Sequence, residues 1–392
     1  MSQARREGPL QDLTIIDCTM AYAGPFGTTL LADLGANVIK IEPPNGDTFR
    51  IVGPFPNDHG RINSTKGVDY GAAFASVNRN KRSVALDLKK DADREILFQL
   101  CEQADAVVEN MRAGVMDKLG VGYDELLKRN PQIVYGAVRG YGDPRTGESP
   151  YAQWPCLDPV GQSVGGLVEA TGDLYGLALA DIYPGTLMAL GLLAAVLRAR
   201  STGKGEFFDV AMYDGVQALL KTSVAQYGIT GKDRKASTRS LVPFGLFPAS
   251  DGQIALAAPV ESHWALLCQA MEREDLIADE RTRSNLRRAK NADFTEAQVS
   301  AWTSNNTREQ IMSLLGGKVP CGPANTMADV FADAHMVARD MLQPVDYPGD
   351  NPPGVLSGNP IKFLNTTTGL YQAPPKHGEH TSEVLKEFGI EV

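Results

Sequence analysis

Cysteine is scarce and unpatterned in this sequence. Cys18, Cys101, Cys156, Cys268 and Cys321 are an odd number, widely spaced, with no C-x-x-C pair. That excludes a disulfide framework and a cysteine zinc site, and it points to a reducing cytoplasm. Histidine forms no metal pattern either. His59, His263, His335, His377 and His380 include no H-E-x-x-H, and His377 and His380 share a Pro/Gly loop without other ligands nearby, so no metal is expected. Positive charge is in deficit: 47 acidic residues face 38 basic ones. The net charge of −9 argues against nucleic acid and anionic membrane as main partners. The most apolar run, Leu187 to Leu197, falls short of the ~20 residues of a membrane span. No apolar segment backs the basic start "MSQARREGPL", so no secretory signal is read. G-x-G-x-x-G is missing, which leaves the dinucleotide fingerprint unmet.

What is present is a large apolar fraction, 43%, enough for two or three domains with real cores. The first half alternates two periods. "LTIIDC", "ANVIKIE", "KRSVALDL", "ADAVVEN" and "QIVYGAVRGYG" read as strands. "AGPFGTTLLADLG", "DADREILFQLCEQ" and "DELLKRN" between them read as helices. That alternation predicts an α/β class with a parallel sheet. Ile51 to Gly67 is a long connection, a length that tends to carry function or motion. From about Gly228 the pattern changes. "GITGKDRKASTRS" reads as a linker, "FGLFPASDGQIALAAP" as a hairpin turning at Asp251-Gly252, and three helical segments follow. This is expected to be a smaller central domain. The turn-rich stretch "PVDYPGDNPPGVLSGNPIKF" is expected to return to the sheet.

Chemistry points first to "LALADIYPGTLMALGLLAAVLRAR". Pro184 suits a first helical turn, and the apolar positions after it leave almost no polar face, so the helix should be buried nearly all round. Arg198, Arg200 and Gly203 mark its end. Asp181 then stands at the helix start. One reading is a plain N-cap. The other is a partly desolvated carboxylate, kept ionised by the dipole, that attacks a carbonyl and carries an acyl group. In "MAYAGPFGTTLLADLG" a strand, a Gly24-Pro25 turn and a helix start offer N–H groups to phosphate or an oxyanion, or form an ordinary βα turn. Arg79, Lys81, Arg82, Lys89, Arg112 and Lys118 lie near strand ends, as a phosphorylated cofactor would want or as solvated surface would have them.

Blocks in order along nearly the whole chain resemble the family III CoA-transferases, a superfamily with formyl-CoA transferase, carnitine CoA-transferase and α-methylacyl-CoA racemase. They include "AGPFGTTLLADLGANVIKIEPPNGDTFR", "NRNKRSVALDLK", "ADAVVENMRAGVMDKLGVGYDELLKRNPQIVYGAVRGYG", "STGKGEFFDVAMYDG", "VPCGPANTMADVFADAHMVARDML" and "HGEHTSEVLKEFG". The resemblance implies a large Rossmann-like α/β domain from residues 1–225 and 331–392, a small α+β domain with linkers at 226–330, and two chains interlocked as a homodimer. It implies that Asp181 is the nucleophile, passing through mixed anhydrides and an aspartyl-CoA thioester. It implies CoA contacts at Met20, Ala21, Tyr22, Leu86, Lys89, Asn110, Lys118 and Leu119. Coenzyme A, as acyl-CoA, is then a substrate, no metal or ATP is required, and backbone N–H groups beside the nucleophile would hold the oxyanion.

Racemases of this superfamily use a histidine where "QWPCLDPVGQ" has Leu157, which cannot exchange a proton. Formyl-CoA transferase has a glycine-rich loop where "RSLVPFGLFPASDG" has no glycine run, and an arginine where Pro43 stands. The resemblance therefore favours a transferase that moves CoA from a donor such as succinyl-CoA to a small dicarboxylate of the succinate, malate, citramalate or mesaconate kind. Arg50 and Arg139 are candidates for the second carboxylate. A racemase and an inactive CoA-binding scaffold are the alternatives.

Overall fold

Six short runs pair into one parallel sheet. They are β1 (Thr14–Cys18), β2 (Asn37–Glu42), β3 (Lys81–Ala85), β4 (Ala106–Glu109), β5 (Val134–Arg139) and β6 (Glu206–Ala211), in the spatial order β3-β2-β1-β4-β5-β6. The computed structural model describes residues 8–55, 69–233, 239–346 and 353–391. Most of the Ile51–Gly67 connection, His59 with it, the centre of the polar stretch 228–240 and part of the turn-rich segment lie outside the described residues. The chain divides into two units, Met1–Arg234 with Val337–Val392, and Lys235–Met336.

In the large unit, neighbouring residues of one strand feed opposite cores, as strand geometry requires. Ile15, Val38 and Val108 join one cluster; Ile16, Ile39 and Val107 join the other. Helices therefore cover both faces. They are α1 (Ala23–Asp33), α2 (Asp91–Glu102), α3 (Val115–Lys118), α4 (Tyr123–Arg129), α5 (Asp158–Val164), α6 (Leu179–Thr202) and α7 (Met212–Leu219).

The long helix α6 departs from its sequence reading in two ways. It starts at Leu179, so Pro184 lies inside it and Ala178, not Asp181, is the N-cap residue. It is also buried along one side only. Met188, Leu192 and Val196 enter the core, while Leu190 and Leu197 are 65% and 71% exposed. Length and apolar composition alone would suit a membrane span; its buried side packs instead on α1, β5, β6 and α7. Gly203 ends it in the left-handed conformation, φ +70°.

Helices α1 and α6 cross with backbones in contact. A Cβ on Gly27 would lie 2.3 Å from the Gly185 carbonyl oxygen, and one on Gly185 would lie 2.3 Å from the Ala23 carbonyl oxygen. Only glycine at both positions allows that approach, which sets the start of α6 beside the turn after β1.

The smaller unit pairs β7 (Phe244–Ala249) with β8 (Gly252–Ala257) around a loop at Ser250–Asp251, one residue earlier than the sequence suggests. Helices α8 (Glu261–Ala270), α9 (Ala292–Thr303) and α10 (Arg308–Leu315) follow, and β9 (Cys321–Pro323) completes a three-stranded antiparallel sheet. Trp264, Leu267, Val299 and Ile311 fill its core.

In the C-terminal part, β10 (Leu342–Val345) and β11 (Gly354–Ser357) pair with each other and do not extend the large sheet. Helix α11 (Thr381–Glu387) returns to the large unit, burying Val384 and Leu385 in the second core. Arg82 reaches it through ion pairs to Glu383 and Glu387.

Candidate active site

In an open parallel sheet, ligands bind beyond the carboxyl ends of the strands, where strand order reverses. Here that point lies between β1 and β4. The turn Thr19–Tyr22 leaves β1 there, and three side chains brace it. Lys40 Nζ donates to the Thr19 carbonyl at 2.7 Å. Asn110 accepts the Met20 N–H at 2.8 Å and donates to the Met20 carbonyl at 2.7 Å. Asp47 accepts the Ala21 N–H at 3.1 Å and pairs with Lys40 at 2.9 Å. Ala21 needs this support, because its φ is +65°. Beneath the turn, buried Asp17 pairs with Lys81 at 3.0 Å. Burial alone would raise the Asp17 carboxyl, but Lys81 and Lys40 hold it below the usual carboxylate range.

A cavity of about 150 Å³ opens beside Met20. Met20, Leu86, Lys89 and Leu119 line it, together with Pro43, Met111 and four further residues. Its walls are largely apolar, and exposed Lys89 stands at the rim. A flat apolar ring with a phosphate nearby fits such a slot. Asn110 acts behind it by fixing Met20. Lys118 is exposed on α3 next to Leu119 and does not line the slot.

Asp181 occupies the first turn of α6, intermediate in exposure. Burial first and the nearby charge of Asp158 second push its carboxyl up to about 7. The expectation that the helix dipole keeps it ionised is thus corrected: desolvation and a like charge outweigh the dipole. Its charge reaches Tyr22 and Cys156. Burial chiefly, then Asp181, raises the Tyr22 phenol. The same two causes, followed by Asp158, bring the Cys156 thiol up to about 11. So the turn after β1, the start of α5 and the start of α6 converge on one carboxyl.

Several sequence expectations fail here for one reason: internal partners. Arg50 is buried, with Nε and Nη2 forked onto Glu42 at 2.7 and 2.6 Å and Nη1 donating to the Pro375 carbonyl at 3.0 Å. Arg139 is buried against Glu109 at 2.8 Å, Asp143 and the Met111 carbonyl. Neither guanidinium is presented to a substrate carboxylate. Arg79 forks onto Asp33, Lys81 pairs with Asp17, and Arg82 reaches α11. Of the six cations, Lys89, Arg112 and Lys118 remain exposed. The N–H groups beside Asp181 are also engaged. Asp158 accepts that of Ala180 at 2.8 Å, and the Ala178 carbonyl accepts those of Asp181 and Ile182. They offer no oxyanion hole. Asp158 and Gln162, which shape this corner, carry no chemical motif in the sequence. The Asp-Pro pair that opens α5 is their local signal.

The chain matches the family model described as CoA-transferase family III over residues 10–381. It is 40% identical to succinyl-CoA:mesaconate CoA-transferase of Haloarcula hispanica, covering 98% of this chain and 97% of that protein. It is 33% identical to acetyl-CoA:oxalate CoA-transferase of Acetobacter aceti, again over 98% and 97%. Among solved structures, a CAIB/BAIF family protein from Brucella suis superposes with a TM-score of 0.83 at 31% identity, over 97% of this chain and 100% of that one. With a braced turn at the switch point, an apolar slot and a desolvated carboxyl already in place, these matches make the chain a member of CoA-transferase family III and an enzyme of that class.

Proposed function

We propose that this enzyme moves CoA from an acyl-CoA such as succinyl-CoA to a small dicarboxylate, with Asp181 as the temporary acyl carrier. The observation that carries the reading is Asp181 itself: a carboxyl raised to about 7, beside the turn that runs from the apolar slot. Near neutral pH the carboxylate form is accessible, and it is more basic, hence more nucleophilic, than an exposed aspartate. The acceptor class follows the Haloarcula relative, whose acceptor is mesaconate, and the Acetobacter relative, whose acceptor is oxalate.

The chemistry is an exchange of activated acyl bonds. The Asp181 carboxylate attacks the donor thioester carbon, the C–S bond breaks, and a mixed anhydride and CoA thiolate form. The thiolate attacks the aspartyl carbonyl, releases the donor acid as carboxylate and leaves an aspartyl-CoA thioester. The acceptor carboxylate attacks that thioester, giving a second anhydride and free thiolate. The thiolate then takes the acceptor's acyl carbon and frees Asp181. No ATP enters, because every intermediate stays activated. The first turn of α1 carries no side-chain cap, so its leading N–H groups suit the oxyanions, where a donor is worth about 3 kcal/mol.

CoA itself is expected in the slot lined by Met20, Leu86, Lys89 and Leu119, with Ala21 and Tyr22 leading towards Asp181. A homodimer is part of the same reading, since the outer side of α6 is apolar and uncovered in one chain. The five free cysteines suit a reducing cytoplasm. Racemisation is disfavoured by Leu157, which is exposed and carries no titratable group.

Incubating purified protein with succinyl-CoA and a panel of carboxylic acids tests the reading. New acyl-CoA species by mass spectrometry are expected for small dicarboxylates. Asp181→Ala should cut turnover roughly a thousandfold or more with the fold intact. Hydroxylamine should trap an acyl-enzyme in the wild type alone. Near-normal turnover of the Ala variant would remove Asp181 from the chemistry. Exchange of an α-hydrogen of a 2-methylacyl-CoA with deuterated water, without transfer, would favour the racemase.

A further inference from the structure

Helix α6 begins without a cap of its own. Ala178 has no side chain that can accept a first-turn N–H. The six residues before it, 172–177, are all exposed. Yet this loose approach must deliver Asp181 to a fixed place. Two side chains of α5 supply what is missing. Asp158 Oδ1 accepts the Ala180 N–H at 2.8 Å, which is the cap bond, made from another helix. Asp158 Oδ2 accepts from Gln162 Nε2 at 2.8 Å. Gln162 is fully buried. Its Nε2 also reaches the carbonyls of Tyr175 at 3.1 Å and Leu177 at 3.0 Å, and its Oε1 accepts the Tyr175 N–H at 3.1 Å. One amide therefore ties α5 to the segment that runs into α6, and one carboxylate ties α5 to the residue before Asp181.

We propose that Asp158 and Gln162 are the positioning pair of the nucleophile: they fix where the Asp181 carboxyl stands, with the Asp158 carboxylate as its neighbour. This rests on the reading of Asp181 as acyl carrier. Both oxygens of Asp158 accept, one from the Ala180 N–H and one from Gln162, which an acceptor-only carboxylate suits. A neutral Ser, Thr or Asn could cap Ala180 but would not bring a like charge to Asp181. Because Asp158 makes the cap bond, the Asp181 carboxyl is released from that duty. The groups around Asp181 are Asp158 on α5, Cys156 before it and Tyr22 ahead of α1. The thiol and the phenol stay neutral near pH 7, which leaves Asp158 as the charged neighbour.

The test is the pH profile of kcat/KM for CoA transfer in the full-length enzyme, with melting temperatures recorded for each variant. Asp158→Asn should move the acid limb from about 7 to lower pH by about one unit, because it removes the like charge and keeps the Ala180 acceptor. Asp158→Glu keeps the charge, and its limb should stay within about half a unit of the wild type. Gln162→Leu should lower kcat about tenfold, with KM for the donor changed less than about twofold, because it loosens the approach without touching the CoA slot. An unmoved limb in Asp158→Asn, with only a lower melting temperature, would make Asp158 a structural cap and overturn the inference. Wild-type kcat in Gln162→Leu would overturn it as well. Asp181→Ala separates the two levels: if it keeps turnover, the underlying reading fails, and if it is dead while the Asp158→Asn limb stays put, only the positioning pair fails.

Discussion

Asp181 occupies a place where a carboxylate costs stability, and that cost gives a measurement independent of catalysis. The carboxyl titrates near 7 when folded against an ordinary 3.8. Well below pH 3.8 it is protonated in both states and costs nothing. As pH rises through the interval, the unfolded chain ionises first, so the native state loses stability; the full loss is reached above pH 7. Asp181→Asn removes the charge at nearly constant shape. The variant should therefore be the more stable protein at pH 8, by ~2 kcal/mol once the remaining solvent access is allowed for, and the gain should shrink towards pH 4 and vanish well below 3.8. Denaturant unfolding at the two pH values reads this directly. A uniform gain or loss at both would show that the carboxyl is not desolvated in solution. The sequence could not supply this, because the burial and the Asp158 charge come from residues that only the fold brings together.

At the scale of elements, the contact that sets the site is the crossing of α1 and α6 at Gly27 and Gly185. Both side-chain vectors point at backbone, which cannot move aside as a flexible side chain can. Gly185→Val should separate the helices, shift Asp181 from the Met20–Tyr22 turn and lower kcat by one to two orders of magnitude, with a stability loss of about 1–3 kcal/mol. Steady-state kinetics and thermal unfolding measure the two parts. An intact kcat would show that this crossing does not position the nucleophile. How legible these elements are in the sequence depends on what holds them. Strands β1, β2, β4 and β5 each carry a β-branched apolar run between Gly, Pro and polar punctuation, and β3, which opens on Lys81 and Arg82, keeps only Val84 and Ala85 of such a run, so local pattern suffices to find most of them. Strand β6 is half-buried up to Val210 and carries a weaker pattern. The start of α6 is hidden for another reason. Pro184 imitates a first turn, while the real first turn is capped from α5 by Asp158, a tertiary bond with no local trace. Arg139 misleads in the same way, because the pairing of β4 with β5 brings Glu109 to it, and Arg50 because the chain folds back on Glu42 at the end of β2.

For the whole molecule, the exposed side of α6 is the feature that a single chain leaves unexplained. Thr186, Leu190, Ala194 and Leu197 recur at helical spacing and are all exposed, on the side away from the core contacts of Met188, Leu192 and Val196. The composition of the helix asks for burial all round, and one chain supplies half of it. A stripe of this kind calls for a cover, and each leucine that goes from exposed to buried contributes about 1.5–3 kcal/mol. A second copy of the chain is the cover proposed above, and the expectation is quantitative. Sedimentation should give twice the chain mass, unchanged on dilution into the sub-micromolar range, as for an obligate pair. Leu190→Glu combined with Leu197→Glu should abolish that species and transfer activity together, since two charges per chain would have to be buried unpaired. Full transfer activity from a species of single-chain mass would refute the dimer, and the leucine stripe would then need a different occupant.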